Sequence, residues 1–292
     1  MEYDMPLFRP PSEARSLIFQ VTLGCSWNRC VFCAMYKTKK FLVRPFEEVE
    51  RDVIEMSWRY PDTRKIFLAD GDPLAAPTDY LIRVLDLMNQ RFPNLERIST
   101  YAGPTNLKVK TVDELREFKA RKLDVLYLGI ETGNDRLLKK IKKGATADTI
   151  IEVCRKAIDA GLRMSTFIIL GLGGVEGSYD HIKDSARVAN AIDPHFLATL
   201  TLMLGPFEKI YQDEIMGGGF KLIDKRQSLQ EVRWFVEDLD LTNCKFGSEH
   251  ASNYLPISGT LPRDKAEILR LIDMALNDLS SKMLRPDWAR GL

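Results

Sequence analysis

Between Leu17 and Leu204, short runs of branched and aromatic residues alternate with stretches of helical period, six times over. No other feature constrains the fold as much. Strands are expected at Leu17 to Thr22, Lys65 to Ala69, Arg97 to Tyr101, Val125 to Ile130, Ser165 to Leu170 and Phe196 to Leu204. Pro45 opens a helix over Phe46 to Tyr60, and Thr78 caps a second to about Phe92. Thr111 and Glu114 form a capping box for a third helix. Asn134 to Lys143 reads as helical up to Gly144, and Thr146 caps a helix ending at Gly161. A last helix covers Ser178 to Ile192. Strands alternating with helices of about ten to fifteen residues form parallel βαβ units. The expected class is therefore α/β, with too few units for a closed eight-fold barrel.

The composition suits one large core. The 292 residues are 45% apolar and 28% charged, with net charge +1. Nothing in that balance draws the chain to nucleic acid or to an acidic membrane. No Pro/Gly/Ser-rich linker divides it, so residues 207–292 are expected to pack as an extension on a core of residues 1–206. No apolar run is long enough to span a bilayer, and Met1 to Pro11 lacks a signal peptide's apolar core. Five cysteines, three of them clustered, favour metal ligation in a reducing cytoplasm over a disulfide framework.

The clustered three are Cys25, Cys30 and Cys33, directly after the first strand. Thiolates this close suit an iron–sulfur cluster or zinc. A four-iron cubane held by three thiolates keeps one iron open for a ligand. Structural zinc would need a distant fourth ligand, such as His250 or Cys244.

The loop resembles that of the radical S-adenosylmethionine (SAM) enzymes, which usually carry Cys-x3-Cys-x2-Cys with an aromatic residue before the last cysteine. Phe32 holds that place; four residues, one more than the pattern, separate Cys25 from Cys30. The resemblance implies a partial (β/α)6 TIM-like barrel with a helical C-terminal extension. It also implies a [4Fe–4S] cluster on Cys25, Cys30 and Cys33, with SAM beside it. After the second strand, Asp70-Gly71-Asp72-Pro73 stands where the family has a Gly-Gly-Glu-Pro-like turn around the methionine amino group. Asp72 takes the acidic place, and Asp70 replaces a glycine. Alone, this would read as an acidic turn.

Tyr127-Leu128-Gly129-Ile130-Glu131-Thr132-Gly133 resembles an element of oxygen-independent coproporphyrinogen oxidases, Elongator-type enzymes and tRNA methylthiotransferases, whose glutamate lies beside SAM. Alternation puts Tyr127, Gly129 and Glu131 on one face. The competing account of Glu131 is an ion pair with an arginine. Ile169 and Gly171 match an adenine-contacting pattern, whose final acid is replaced here by Gly174. In the sixth strand Thr199, Thr201 and Met203 share a face expected to line the cavity.

Cys154 lies in an apolar helical run and reads as a core residue. Two leftover cysteines do not make a second cubane. Lys139, Lys140, Lys142 and Lys143 read as a solvated helix face, with tRNA binding as the alternative. His181 and His195 read as incidental. The C-terminal third is expected to be helical over Leu229 to Leu239, strand-like over Leu241 to Phe246, irregular to Pro262 and helical over Arg263 to Leu279. In the irregular stretch His250 and Tyr254, with Cys244 just before it, are candidates for the substrate side.

The resulting expectation is an oxygen-sensitive radical SAM enzyme of the cytoplasm. Its 5′-deoxyadenosyl radical would take hydrogen from a small organic metabolite or cofactor precursor. Flavodoxin or ferredoxin would supply the electron. An RNA-modifying enzyme is the alternative within the family, and a zinc-stabilised binding protein the alternative outside it.

Overall fold

The computed structural model describes residues 1–205, 208–211, 213, 217 and 219–291. The described strands are β1 Leu17–Gln20, β2 Thr22–Leu23, β3 Leu42–Val43, β4 Lys65–Ala69, β5 Arg97–Tyr101, β6 Leu123–Glu131, β7 Arg163–Leu170, β8 Phe196–Thr201, β9 Cys244–Gly247 and β10 Ser258–Leu261. The helices are α1 Phe46–Arg59, α2 Thr78–Arg91, α3 Pro104–Val109, α4 Val112–Ala120, α5 Asp135–Lys140, α6 Ala147–Asp159, α7 Gly174–Ile192, α8 Glu208–Ile210, α9 Lys225–Asp238 and α10 Lys265–Asn277. The fold is α/β, with a mostly parallel sheet that does not close, as a partial barrel requires. Two compact units divide the chain. The first holds Met1–Arg29, Cys33–Leu128 and Val153–Met164; the second holds Cys30–Phe32, Gly129–Glu152 and Ser165–Leu292.

In the first unit β1, β4, β5 and the start of β6 lie side by side and parallel, with Phe19 opposite Leu68, Phe67 opposite Ser99 and Thr100 opposite Leu126. One sheet face carries Ile18, Phe67, Ala69, Val125 and Tyr127, with Leu7 and Tyr101 packed on it. Burying a side chain such as Phe67 stabilises the fold by roughly 1.5–3 kcal/mol. The other face meets the helices: α1 turns Val49, Val53 and Met56 inward, with Glu47 and Glu48 at its N-terminal turn and Arg59 at its last. The Thr111–Glu114 capping box is present at α4.

Two details of this unit differ from expectation. Leu17 to Thr22 is not one strand. The Val21 N–H goes to Ala69 O at 3.0 Å, and Thr22–Leu23 then pair antiparallel with Leu42–Val43. This small ladder closes the base of the cysteine loop. Pro77, not Thr78, holds the cap position of α2, and the Thr78 hydroxyl instead meets Glu114 and the Lys110 ammonium. Proline fixes the chain's entry without a side-chain cap.

In the second unit β7 and β8 are parallel, with Ile168 opposite Thr199 and Leu170 opposite Thr201. The expected helix at Leu229 begins earlier, at Lys225, because Asp224 accepts the Gln227 N–H at 2.8 Å. Buried Leu229, Val232, Phe235 and Val236 form its apolar stripe. β9 continues the ladder parallel to β8, and β10 returns antiparallel to β9. β10 lies within the stretch expected to be irregular. Gly259 weakens the local strand signal that Thr260 gives, so pairing with Cys244–Gly247 decides it. The expected boundary at 206/207 falls outside the described residues. So do several residues after it.

Candidate functional site

The first unit builds the mouth of the cysteine loop around two buried aspartates. Asp70 is fully buried at the end of β4. Its Oδ1 accepts Gln20 Nε2 at 2.9 Å; its Oδ2 accepts the Gly24 N–H and the Lys39 ammonium, each at 2.9 Å. Lys39 also meets Asp4 Oδ1 at 2.9 Å, while the Gln20 amide pairs with the Asp4 backbone through two 2.9 Å bonds. Asp70, in the turn that the resemblance sets around the methionine amino group of SAM, thus holds the Lys39 ammonium. Asp72 is 1% exposed. Its Oδ2 accepts the Ser26 hydroxyl at 2.9 Å and the Asn106 amide, and its Oδ1 accepts the Gly103 N–H at 3.2 Å. Ser26 follows Cys25, so both acids grip the loop.

Gly71 between them permits a close approach. A Cβ there would stand 2.9 Å from Cys25 Cβ and 3.0 Å from the Tyr36 ring. Burial, with Asp70 and Tyr101 beside it, pushes the Tyr36 phenol far up, so it stays protonated.

The second unit carries the other residues. Val31, between Cys30 and Phe32, donates its N–H to Ile141 O at 3.1 Å. Glu131 ends β6 with φ +64°. Its Oε1 accepts the Lys143 ammonium at 2.7 Å, with both side chains under a tenth exposed. The ion pair is thus with a lysine from the expected basic run, not with an arginine. Glu131 Oε2 is buried and has no partner among the described residues.

Gly129 lies against both Glu131 and Phe167; a Cβ on it would stand 2.8 Å from the Phe167 ring. Glu131, Phe167 and Ile169 therefore share a face, and register adds Ala198 and Leu200. Thr199 and Thr201 point the other way, which corrects the expectation that they line a cavity with Glu131. Apolar side chains occupy that face, and the threonines are buried behind it. There Thr201 donates to Asn253 Oδ1 at 2.9 Å, and Asn253 donates to Thr199 O at 2.6 Å. β8 ends at Thr201, so Met203 lies beyond the strand.

Gly171 donates its N–H to Glu231 Oε2 at 2.7 Å, and Ser178 donates to Glu231 Oε1 at 2.5 Å. Burial raises the Glu231 carboxyl to about 7. His181, expected to be incidental, is fully buried between Thr132 Oγ1 at 2.8 Å and Ile169 O at 3.0 Å. Burial lowers it to about 4, so it is neutral near pH 7.

The three substrate-side candidates have different surroundings. Cys244 is buried at the start of β9, its thiol pushed up to about 12 by burial. His250 Nδ1 meets Ser252 Oγ at 2.8 Å, and burial lowers its pKa. The Tyr254 hydroxyl donates to Asp287 at 2.8 Å, with the Arg290 guanidinium 3.7 Å from the ring centroid.

Gln20, Ser26, Lys39, Asn106, Lys143 and Glu231 were not foreseen as parts of the site. Most carry no local signal, since their partners are distant in sequence. Glu231 is different: it is a lone acid inside the apolar stripe of α9, and such a charge is rarely buried unless bonded.

Among the described residues, no group of three His, Cys, Asp or Glu side chains stands ready to hold a metal ion. The donor chemistry still fits a thiolate-held cluster. Cys25, Cys30 and Cys33 are all half-buried, and the buried Tyr36 hydroxyl near Cys25 has no acceptor among the described residues.

The family model of the Radical SAM superfamily matches residues 19–186. A putative methylthiotransferase of Methanocaldococcus jannaschii is 26% identical over 199 residues, 63% of this chain and 43% of that protein. A heme chaperone of Bacillus subtilis is 23% identical over 152 residues, 52% of this chain and 40% of that protein. The chain thus spans less than half the length of these relatives. Coproporphyrinogen III oxidase of Escherichia coli is similar in fold, with a TM-score of 0.55 at 17% identity over 76% of this chain and 51% of that one.

Proposed function

The chain belongs to the radical SAM superfamily, whose members use a [4Fe–4S] cluster and SAM, and on that premise we propose that it cleaves SAM reductively to take hydrogen from a small organic metabolite or cofactor precursor. Cys25, Cys30 and Cys33 would hold the cluster, the thiols closing on it as it binds. Held there, such a cluster would supply the single electron needed for reductive cleavage of a carbon–sulfur bond of SAM. A ferredoxin or flavodoxin would deliver that electron.

The reading rests on one observation above others: the unpartnered, buried Oε2 of Glu131 at the end of β6. A buried carboxylate oxygen without a donor is costly. A hydroxyl or ammonium of SAM would satisfy it, while Oε1 keeps its bond to Lys143. Phe167, Ile169, Ala198 and Leu200, on the same face, offer an apolar bed for adenine. Asp72, bonded to Ser26, Asn106 and Gly103, would fix the cysteine loop while presenting acceptor capacity to the methionyl ammonium.

The test is calorimetric titration of SAM into Glu131→Ala protein at matched cluster content. Loss of a charged hydrogen bond should weaken binding about ten- to a hundred-fold. Wild-type affinity would remove Glu131 from the site.

RNA as substrate is the second reading. A tRNA-2-methylthio-N(6)-dimethylallyladenosine synthase of Bordetella avium is among the relatives, 26% identical over 182 residues, 56% of this chain and 37% of that protein. Exposed Lys139 and Lys140 lie in the last turn of α5. A zinc-stabilised binding protein would leave the family membership without a role.

A further inference from the structure

Tyr36 is 3% exposed, yet its hydroxyl has no hydrogen-bond partner among the described residues. Buried phenols usually find one. The residue is firmly held. Asn28 Nδ2 at 2.8 Å and the Lys39 N–H at 3.1 Å both donate to its carbonyl. Phe8 meets the ring edge-on with centroids 5.6 Å apart, and the Lys39 ammonium lies 5.8 Å from the ring centroid. The ring and the Cys25 side chain meet over Gly71, where a single Cβ would touch both. Asp70, the nearby carboxylate, already receives Gln20, Gly24 and Lys39.

We propose that the Tyr36 hydroxyl donates a hydrogen bond to a sulfur of the cluster that Cys25 and Cys33 help to hold. The acceptor arrives with the cofactor, which is why the protein alone leaves the hydroxyl unpaired. Hydrogen bonds to cluster sulfur favour the more negative, reduced form and raise its potential. Phe8, from the segment before β1, would then tune the cluster indirectly by fixing the ring.

The inference rests on the cysteine ligation proposed above, and the experiment separates the two. Wild-type and Tyr36→Phe proteins, reconstituted anaerobically to equal iron and sulfide, are titrated with reductant without SAM and followed by electron paramagnetic resonance. The reduced form should lose three- to tenfold in relative stability in the variant. That lowers the midpoint by about 28–59 mV, at about 59 mV per tenfold for one electron. 3-Fluorotyrosine placed at position 36, a stronger donor of nearly the same shape, should move the midpoint upward.

Unchanged midpoints in both overturn the inference. So does an unchanged midpoint with weakened SAM binding, which would assign the hydroxyl to the SAM carboxylate. If Tyr36→Phe takes up no cluster, the sign of the fluorotyrosine shift decides alone. Full iron and sulfide in Cys25→Ala would instead strike the ligation itself.

Discussion

Asp72 accepts the hydroxyl of Ser26 at 2.9 Å, which ties the turn after β4 to the residue following Cys25. The same carboxylate takes the Gly103 N–H at 3.2 Å, so three segments of the first unit meet on one side chain. This makes Asp72 both a candidate SAM contact and a brace for the cysteine loop.

Asp72→Ala should therefore show two effects at once. SAM affinity should fall about ten- to a hundred-fold, the loss expected of a charged hydrogen bond. Amide exchange across Ser26 to Cys33 should also speed up in the metal-free protein. Faster exchange with unchanged SAM affinity would leave Asp72 as a brace only.

Lys39→Met should destabilise the first unit. The Lys39 side chain is 5% exposed and that of Asp70 is 0%, so the substitution strands a buried carboxylate. Removing one member of such a pair costs about 3–5 kcal/mol. Urea denaturation should show the loss. A change within a few tenths of a kcal/mol would mean that water reaches Asp70 freely.

Gly71→Ala should disturb the loop without any change of charge. Its methyl would lie 2.9 Å from Cys25 Cβ and 3.0 Å from the Tyr36 ring, and neither neighbour is the far end of a flexible chain. Overpacking of this kind costs roughly 1–3 kcal/mol. Lower iron uptake on reconstitution, alongside a reduced denaturation midpoint, is the expected outcome. Wild-type uptake would show that the loop relaxes around the methyl.

Glu231 should make stability fall as pH rises between about 4.5 and 7. Burial raises its folded value to about 7 from an ordinary 4.5. In that window the folded chain binds the extra proton, so its stability contribution is full below about 4.5 and lost as pH passes through 7. The local slope approaches roughly 1.4 kcal/mol per pH unit. Glu231→Gln should flatten that part of the pH–stability curve. An unaltered slope in the variant would assign the titration to another group.

His250→Gln and Tyr254→Phe separate substrate contact from loop support. Tyr254 donates to Asp287 and stacks under Arg290, so Tyr254→Phe should cost about 1 kcal/mol of stability. If the segment also faces substrate, substrate-stimulated SAM cleavage should fall while uncoupled cleavage persists. Full substrate-dependent turnover in both variants would make the segment structural.

The sequence by itself determined the α/β class, the run of six strands alternating with helices and the cysteine loop with the two acidic strand ends. These are local signals: periodicity along strands and helices, the capping box at Thr111, and three thiols within nine positions of chain. The same locality set the limits of the reading. Alternation correctly placed Glu131 with Gly129, but on β8 it gives two faces, and the polar one was expected to be the inner one. Contact with Phe167, 36 positions after Glu131, settled that against Thr201.

Tertiary structure alone decided the partners of each charge. Lys39 went to Asp70 and Asp4, Lys143 to Glu131, and Glu231 to the backbone of Gly171. A buried charge is stabilised by whichever group the folded chain brings within about 3 Å, and spacing along the sequence carries almost no record of that.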